Sequence, residues 1–307
     1  MTADHGTLEA EQSFERYLAG RAALVDAYLD RYLPPESTPP ETISRAVRYS
    51  LFAGGKRLRP VMVLAAAEAV GGEVEDALPA AAAFEMIHTY SLIHDDLPAM
   101  DDDSLRRGRP TSHVVFGEAI AILAGDALQT HAFAVLADPP PPCQLAADRK
   151  IRAIAELASA AGAGGMVGGQ VFDLESEGRP VDAATLERIH RQKTGALIRA
   201  SARVGAIVSG ASEDDLSRLT RFGEEAGLAF QIVDDILDVE GSDATLGKSA
   251  GKDARSGKAT YPLVHGIGEA RRKAVELVSS AVHRLEPFGA AGRPLGLLAE
   301  HMIRRSS

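Results

Sequence analysis

The chain has 307 residues, 45% hydrophobic and 25% charged, long enough to bury a large core as one big domain or two ordinary ones. A formal charge of −10 without any basic stripe argues against a protein that lives on nucleic acid. A polar, acidic N-terminus and the lack of about 18 unbroken apolar residues anywhere argue against a signal peptide and stable membrane insertion, so a cytoplasmic protein is expected.

Alanine and leucine dominate, aromatic residues make up 5%, and alternating β-branched runs are nearly absent, so the periodic segments are expected to be helical. In chain order the spacing predicts helices over 8–33, 41–53, 58–70, 74–96, 112–137, 145–167, 183–207 and 213–239, with two or three shorter ones after Tyr261. Pro- and Gly-rich turns such as LPPESTPPET, GGKRLRP, VGGEVED, DPPPPCQ and ESEGRPVD separate them. No composition shift or repeat interrupts this pattern, which implies a single all-α domain over 1–307. The exception is Gly241 to Pro262, which lacks apolar periodicity over an unusual length and is a candidate lid or ligand-gripping loop. The lone Cys143, in the turn near 140, can form neither an internal disulfide nor a cysteine metal site, and this fits a reducing compartment.

Charge is concentrated at two predicted helix ends. Pro98 lacks an amide hydrogen and disfavours helix in the residue before it, so the helix carrying FEMIHTYSLIHDD should stop near Asp96. Asp95 and Asp96 then oppose the helix dipole, and the break allows Asp101, Asp102 and Asp103 to fold back toward them. A second cluster, FQIVDDILDVEG, places Asp234 and Asp238 at i, i+4 on one face with Asp235 beside them. An acidic helix end is ordinarily just a solvated one. These two adjoin strongly apolar stretches, where like charges repel unless a cation relieves them. Oxygen-only clusters suit a hard ion such as Mg²⁺, with phosphate oxygens completing its shell and Mn²⁺ as a substitute. His88 and His94 flank the first cluster without any zinc-type spacing.

Cations accompany the acids. Gly54 and Gly55 permit close backbone approach beside Lys56, Arg57 and Arg59 at a predicted helix start, although the spacing is not that of a Walker loop. Arg106, Arg107 and Arg109 follow the first cluster, Lys193 and Thr194 begin KTGALI, and Lys248, Lys252 and Lys258 stud the long loop. Singly, each reads as a surface cation. Together with two Mg²⁺-type clusters they read as the walls of a site for two polyanions.

The ordered set GGKRLRP, DDLPAMD, RRGRPT, GDAL, GGQVFDL, KTGALI, FQIVDDILD and GKSAGKDARSGKATYP resembles that of the trans-isoprenyl diphosphate synthases, most closely the bacterial farnesyl diphosphate synthases, over nearly the whole chain. The resemblance implies an isoprenoid-synthase-type helical bundle around a central cavity, acting as a homodimer on isopentenyl diphosphate and an allylic diphosphate. It implies that Asp95, Asp96 and Asp101, with Asp234, Asp235 and Asp238, hold Mg²⁺, and that Lys56, Arg59, His88 and Arg107 grip isopentenyl diphosphate. Arg106, Lys193, Thr194, Gln231, Lys248 and Lys258 would contact the allylic substrate or its departing diphosphate. Lys193, Thr194 and Gln231 would also stabilise cationic intermediates or position the leaving group. The place of Arg57 in the motif varies across the family.

Chain length is readable from the helix before the first cluster. Tyr90 and Ser91 stand five and four positions before Asp95, and this bulky–small pair resembles the farnesyl-forming pattern, with core packing as the alternative for Tyr90. Geranylgeranyl diphosphate is the other product in view. A terpene cyclase is disfavoured because the chain contains no asparagine and its second cluster is DDILD, and a non-catalytic partner subunit is disfavoured because both aspartate clusters are intact.

Overall fold

Helices α1 (His5–Tyr32), α2 (Glu41–Leu51), α3 (Leu58–Ala69) and α4 (Val74–Asp95) begin the chain in the computed structural model, which describes residues 5–240 and 259–303. They are followed by a hairpin of β1 (Leu105–Arg106) and β2 (Arg109–Pro110), then α5 (Ser112–Phe116), α6 (Glu118–Ala137), α7 (Ala147–Ala161), α8 (Met166–Ser176) and α9 (Ala183–Ile189). A π-helical segment, His190–Gly195, leads into α10 (Ala196–Val208) and α11 (Glu213–Glu240). Helices α12 (Tyr261–His265) and α13 (Ile267–Arg284), a 3₁₀ turn and α14 (Arg293–Ile303) complete the described chain. Among the described residues the architecture is all-α apart from the two-residue strands.

Residues 60–67 of α3 and 80–87 of α4 are buried without interruption, which marks both as interior helices with no solvent face along those stretches. Their alanines bring helix axes close. Helix α10, buried along most of its length, packs against α3, α4, α7 and α11, so the middle of the bundle is built from small side chains around a few large ones such as Phe84 and Phe222.

Several expected helices are divided. The span 112–137 breaks at Gly117, whose φ of 84° ends α5 and starts α6. The span 145–167 is shorter, ending at Ala161, and a separate helix, α8, occupies the GGQVFDL stretch that had no assigned element. Its glycines make α8 a poor helix in isolation, and contacts with the π segment and α9 support it. The span 183–207 is helical throughout but widens to π geometry at His190–Gly195, where the KTG residues lie. The RRGR stretch forms a hairpin turn in which both Arg107 (φ 53°) and Gly108 (φ 72°) have positive φ, as a type I′ turn requires.

Candidate active site

The proline break works through backbone hydrogen bonds. Helix α4 ends at Asp95, and the chain reverses so that Asp101 N–H donates to the Asp95 carbonyl at 2.9 Å and Asp103 N–H to the Asp96 carbonyl at 3.2 Å. The last carbonyls of α4 are thus capped by the backbone of the later aspartates. Arg106 on β1 folds over the same turn: its Nε donates to Asp96 Oδ1 at 2.8 Å and Oδ2 at 2.9 Å, and Asp103 lies 3.8 Å from its Nη2. Burial pushes the Asp95 carboxyl up to about 6, with Asp101 and Asp96 adding repulsion and Lys193 opposing.

A group of basic side chains assembles where α3, α4 and the hairpin meet. Arg59, on the first turn of α3, has Nη1 3.4 Å from Nε2 of His88 on α4. Burial, followed by the charges of Arg59, Arg107, Arg106 and Arg57, keeps the His88 imidazole neutral well below its ordinary range. Arg59 itself is brought down to about 10, chiefly by burial, and the carboxylate of Asp234 acts against that shift, so the second aspartate cluster lies within electrostatic reach of the first basic one. Arg107 reaches back from the hairpin to donate to the Gly54 carbonyl, and a Cβ on Gly55 would sit 2.4 Å from its Nη1. Lys56 is exposed on the same loop.

On the other side, the π segment turns Lys193 and Thr194 toward α8 and α11. Lys193 Nζ donates to Asp173 Oδ2 at 2.6 Å, and Thr194 Oγ1 donates to Gln231 Oε1 at 2.8 Å. Gln231 Nε2 in turn donates to Asp235 Oδ1 at 3.0 Å. Asp235 is nearly buried and its Oδ2 accepts from Tyr261 N–H at 2.7 Å, with His190 Nε2 3.2 Å away. Asp234 is half-buried and Asp238 buried on the same helix. Tyr90 is buried, with its ring 5.6 Å from that of His94, and Ser91 returns its hydroxyl to the His88 carbonyl at 2.9 Å. Lys248 and Lys258, with the rest of 241–258, lie outside the described residues.

Among the described residues no three carboxylate, imidazole or thiol groups stand together closely enough to hold a metal ion by themselves. Mg²⁺ is usually held by one or two carboxylates, with water and substrate phosphate filling the remaining positions, so no preassembled cage is required. The donor set fits such an ion: it is all oxygen, and the crowding that raises Asp95 is what a cation would relieve. Asp96 Oδ1 already accepts from two nitrogens of Arg106 and Asp235 Oδ2 meets both Tyr261 N–H and His190 Nε2, whereas Asp96 Oδ2 and Asp235 Oδ1 each accept one hydrogen bond and retain a second lone-pair direction.

Sequence reasoning did not single out three residues near these groups. Asp173 pairs with Lys193, His190 faces Asp235, and the half-buried Gln170, one turn before Asp173 on α8, has both of its amide atoms buried and lacking a hydrogen-bond partner among the described residues. Gln170 and Asp173 belong to the GGQVFDL motif, so its spacing carried a signal. His190 carried none, because its partner lies on another helix.

Residues 40–286 match the polyprenyl synthetase family. Among curated proteins, the chain is 48% identical to the farnesyl diphosphate synthase of Escherichia coli K12 over 97% of this chain and 96% of that one. It is 46% identical to a geranylgeranyl diphosphate synthase of Cyanophora paradoxa over 95% and 96% respectively. Among solved structures, an FPP/GFPP synthase of Zymomonas mobilis superposes with a TM-score of 0.86 at 37% identity, covering 95% of this chain and 99% of that one. Basic side chains and two aspartate clusters lie within electrostatic reach of one another on an all-α bundle, and on the family match and near-full-length identity the chain belongs to the polyprenyl synthetase family and is a prenyltransferase.

Proposed function

We propose that the whole chain acts as one prenyltransferase domain that condenses isopentenyl diphosphate with dimethylallyl or geranyl diphosphate to give mainly farnesyl diphosphate. The observation that carries the reading is the meeting of Arg59 with His88 at one end of the site and of Lys193 and Thr194 with Asp173 and Gln231 at the other, two separate anchor sets for two diphosphates. Lys56, Arg59, His88 and Arg107 hold isopentenyl diphosphate. Arg106, Lys193, Thr194, Gln231, Lys248 and Lys258 hold the allylic diphosphate and receive it as it leaves.

The allylic C–O bond breaks with its electron pair going to the diphosphate oxygen. Cationic side chains fixed in place before the reaction stabilise that developing charge better than water could. Mg²⁺ held by Asp95, Asp96, Asp101, Asp234, Asp235 and Asp238 would supply further neutralisation of the diphosphate. The Thr194–Gln231–Asp235 hydrogen-bond chain fixes the amide and hydroxyl dipoles, so that oxygen lone pairs can face the allylic carbocation. The isopentenyl double bond then attacks the cation, and a proton passes to the released diphosphate.

The farnesyl length is supported by buried Tyr90, whose ring lies just N-terminal to Asp95 on α4 where a growing tail would descend. Geranylgeranyl diphosphate is the second reading, favoured by the similar identity to synthases of both names. A cytoplasmic homodimer completes the proposal. The buried, unpaired Cys143 suits a reducing compartment, and α6 offers a partner face. That helix is apolar enough by length and composition to cross a membrane, yet it packs along α4 and α2, with Ile122 and Leu123 left outward beside Val114 and Val115 of α5.

The test is incubation of labelled isopentenyl diphosphate with dimethylallyl, geranyl or farnesyl diphosphate, with and without Mg²⁺, followed by chromatography of the dephosphorylated products. Mg²⁺-dependent farnesol is expected. No Mg²⁺-dependent condensation refutes the enzyme reading, and a predominant twenty-carbon product replaces the farnesyl assignment with the geranylgeranyl one.

A further inference from the structure

Arg57 sits between two proposed substrate contacts, Lys56 and Arg59, yet it points the other way. Its φ of 50° places it in the left-handed region at the start of α3, and its side chain is 2% exposed. Each guanidinium nitrogen is engaged: Nε donates to Asp26 Oδ1 at 2.8 Å, Nη1 to Glu85 Oε1 at 2.6 Å, and Nη2 to the Leu51 carbonyl at 2.8 Å. Each partner lies on a different element, Asp26 on α1, Leu51 at the end of α2 and Glu85 on α4.

Glu85 is 3% exposed and stands one turn before His88 on α4, at i, i+3. The pair therefore ties the rotation of α4, which sets where His88 points, to the start of α3, whose preceding loop presents Lys56 and whose first turn presents Arg59. With every guanidinium nitrogen of Arg57 already bonded inside the protein and only 2% of its side chain exposed, this arginine is not presented to a phosphate in this arrangement. A buried ion pair is also weak evidence for stability in itself, because desolvation offsets most of the attraction. Specific geometry is the better account of its presence here.

We propose that Arg57 and Glu85 form a buried positioning pair that sets the spacing of Lys56, Arg59 and His88 for the isopentenyl diphosphate, and that neither residue touches substrate. The inference rests on the assignment of that diphosphate to Lys56, Arg59 and His88. A planar fork meeting three acceptors at fixed angles is what makes arginine necessary: lysine keeps the charge and loses the geometry.

Steady-state kinetics with each substrate varied in turn tests it on Arg57→Lys, Glu85→Gln and Asp26→Asn. The first two should raise KM for isopentenyl diphosphate about 10-fold while KM for the allylic diphosphate stays within about 2-fold. Asp26→Asn, which touches only the half-exposed end of the network, should shift the same KM in the same direction by about 3-fold. That third variant decides the matter where the other two do not fold. Equal changes in both KM values, or a lower melting temperature with both KM values unchanged, overturn the positioning role. Absence of Mg²⁺-dependent condensation by the unaltered chain instead refutes the functional reading beneath it.

Discussion

Tyr90 and Asp95 are the residues whose substitution is most informative. Tyr90→Ala should open the space below the aspartates and lengthen the main product by one isoprene unit or more, read by chromatography of the dephosphorylated alcohols; an unchanged product distribution leaves Tyr90 as core packing only. Asp95 has an ordinary carboxyl value of 3.8 and a folded value of about 6. Between those values the folded chain binds more protons than the unfolded one, so this group's stabilisation is complete below about pH 4 and is lost as pH rises through about 6. At neutral pH the ionised carboxylate therefore weakens the metal-free fold. Asp95→Asn should raise the melting temperature in metal-free buffer at pH 7.5, by up to about 3 kcal/mol of stability, with the gain vanishing near pH 4. The same change should slow turnover on the order of 100-fold. A variant no more stable than the parent at pH 7.5 contradicts the burial argument.

At the scale of elements, the π segment is where chemistry-bearing side chains and close packing coincide. A Cβ on Gly169 of α8 would stand 2.1 Å from the backbone nitrogen of Lys193, so α8 can approach only because that position has no side chain. The approach lets Asp173 meet Lys193. Gly169→Val should therefore cost about 1–3 kcal/mol of stability by overpacking and lower kcat further by displacing Lys193. Thermal unfolding and turnover measured on the same preparation separate the two effects, and a variant with parental kcat would show that α8 and the π segment can part without disturbing the site. The hairpin acts in the opposite sense. It brings Arg106 to Asp96 and Arg107 to the Gly54 loop by turning the chain sharply at two positive-φ residues.

For the molecule as a whole, the outward face of α6 is the surface to test. Leu123 and Val114 are each 53% exposed, and Ile122 and Val115 lie between them in sequence on α5 and α6. A second copy covering these side chains would remove them from water at roughly 25 cal/mol per Å² of apolar area. Leu123→Glu should shift the protein from dimer to monomer in size-exclusion chromatography with light scattering; a wild-type chain that already runs as a monomer disposes of the dimer reading.

Much of this was legible in the sequence because it depends on neighbours along the chain. Helix periodicity, the stop imposed by Pro98, the Gly- and Pro-marked turns and the order of the aspartate and cationic motifs are local, and they determined the helical class and the kind of chemistry. Gly117 and the glycines around α8 show the limit: the same residue type ended one helix and lay inside another, and only the contact between α8 and the π segment distinguished them. Tertiary structure alone decided what Arg57 does, since its partners come from α1, α2 and α4, and gave Lys193 its partner Asp173. The physical reason is common to both. A charged side chain in a motif can face either solvent or core, and the choice is made by which carboxylates and carbonyls the packed helices bring within hydrogen-bond reach.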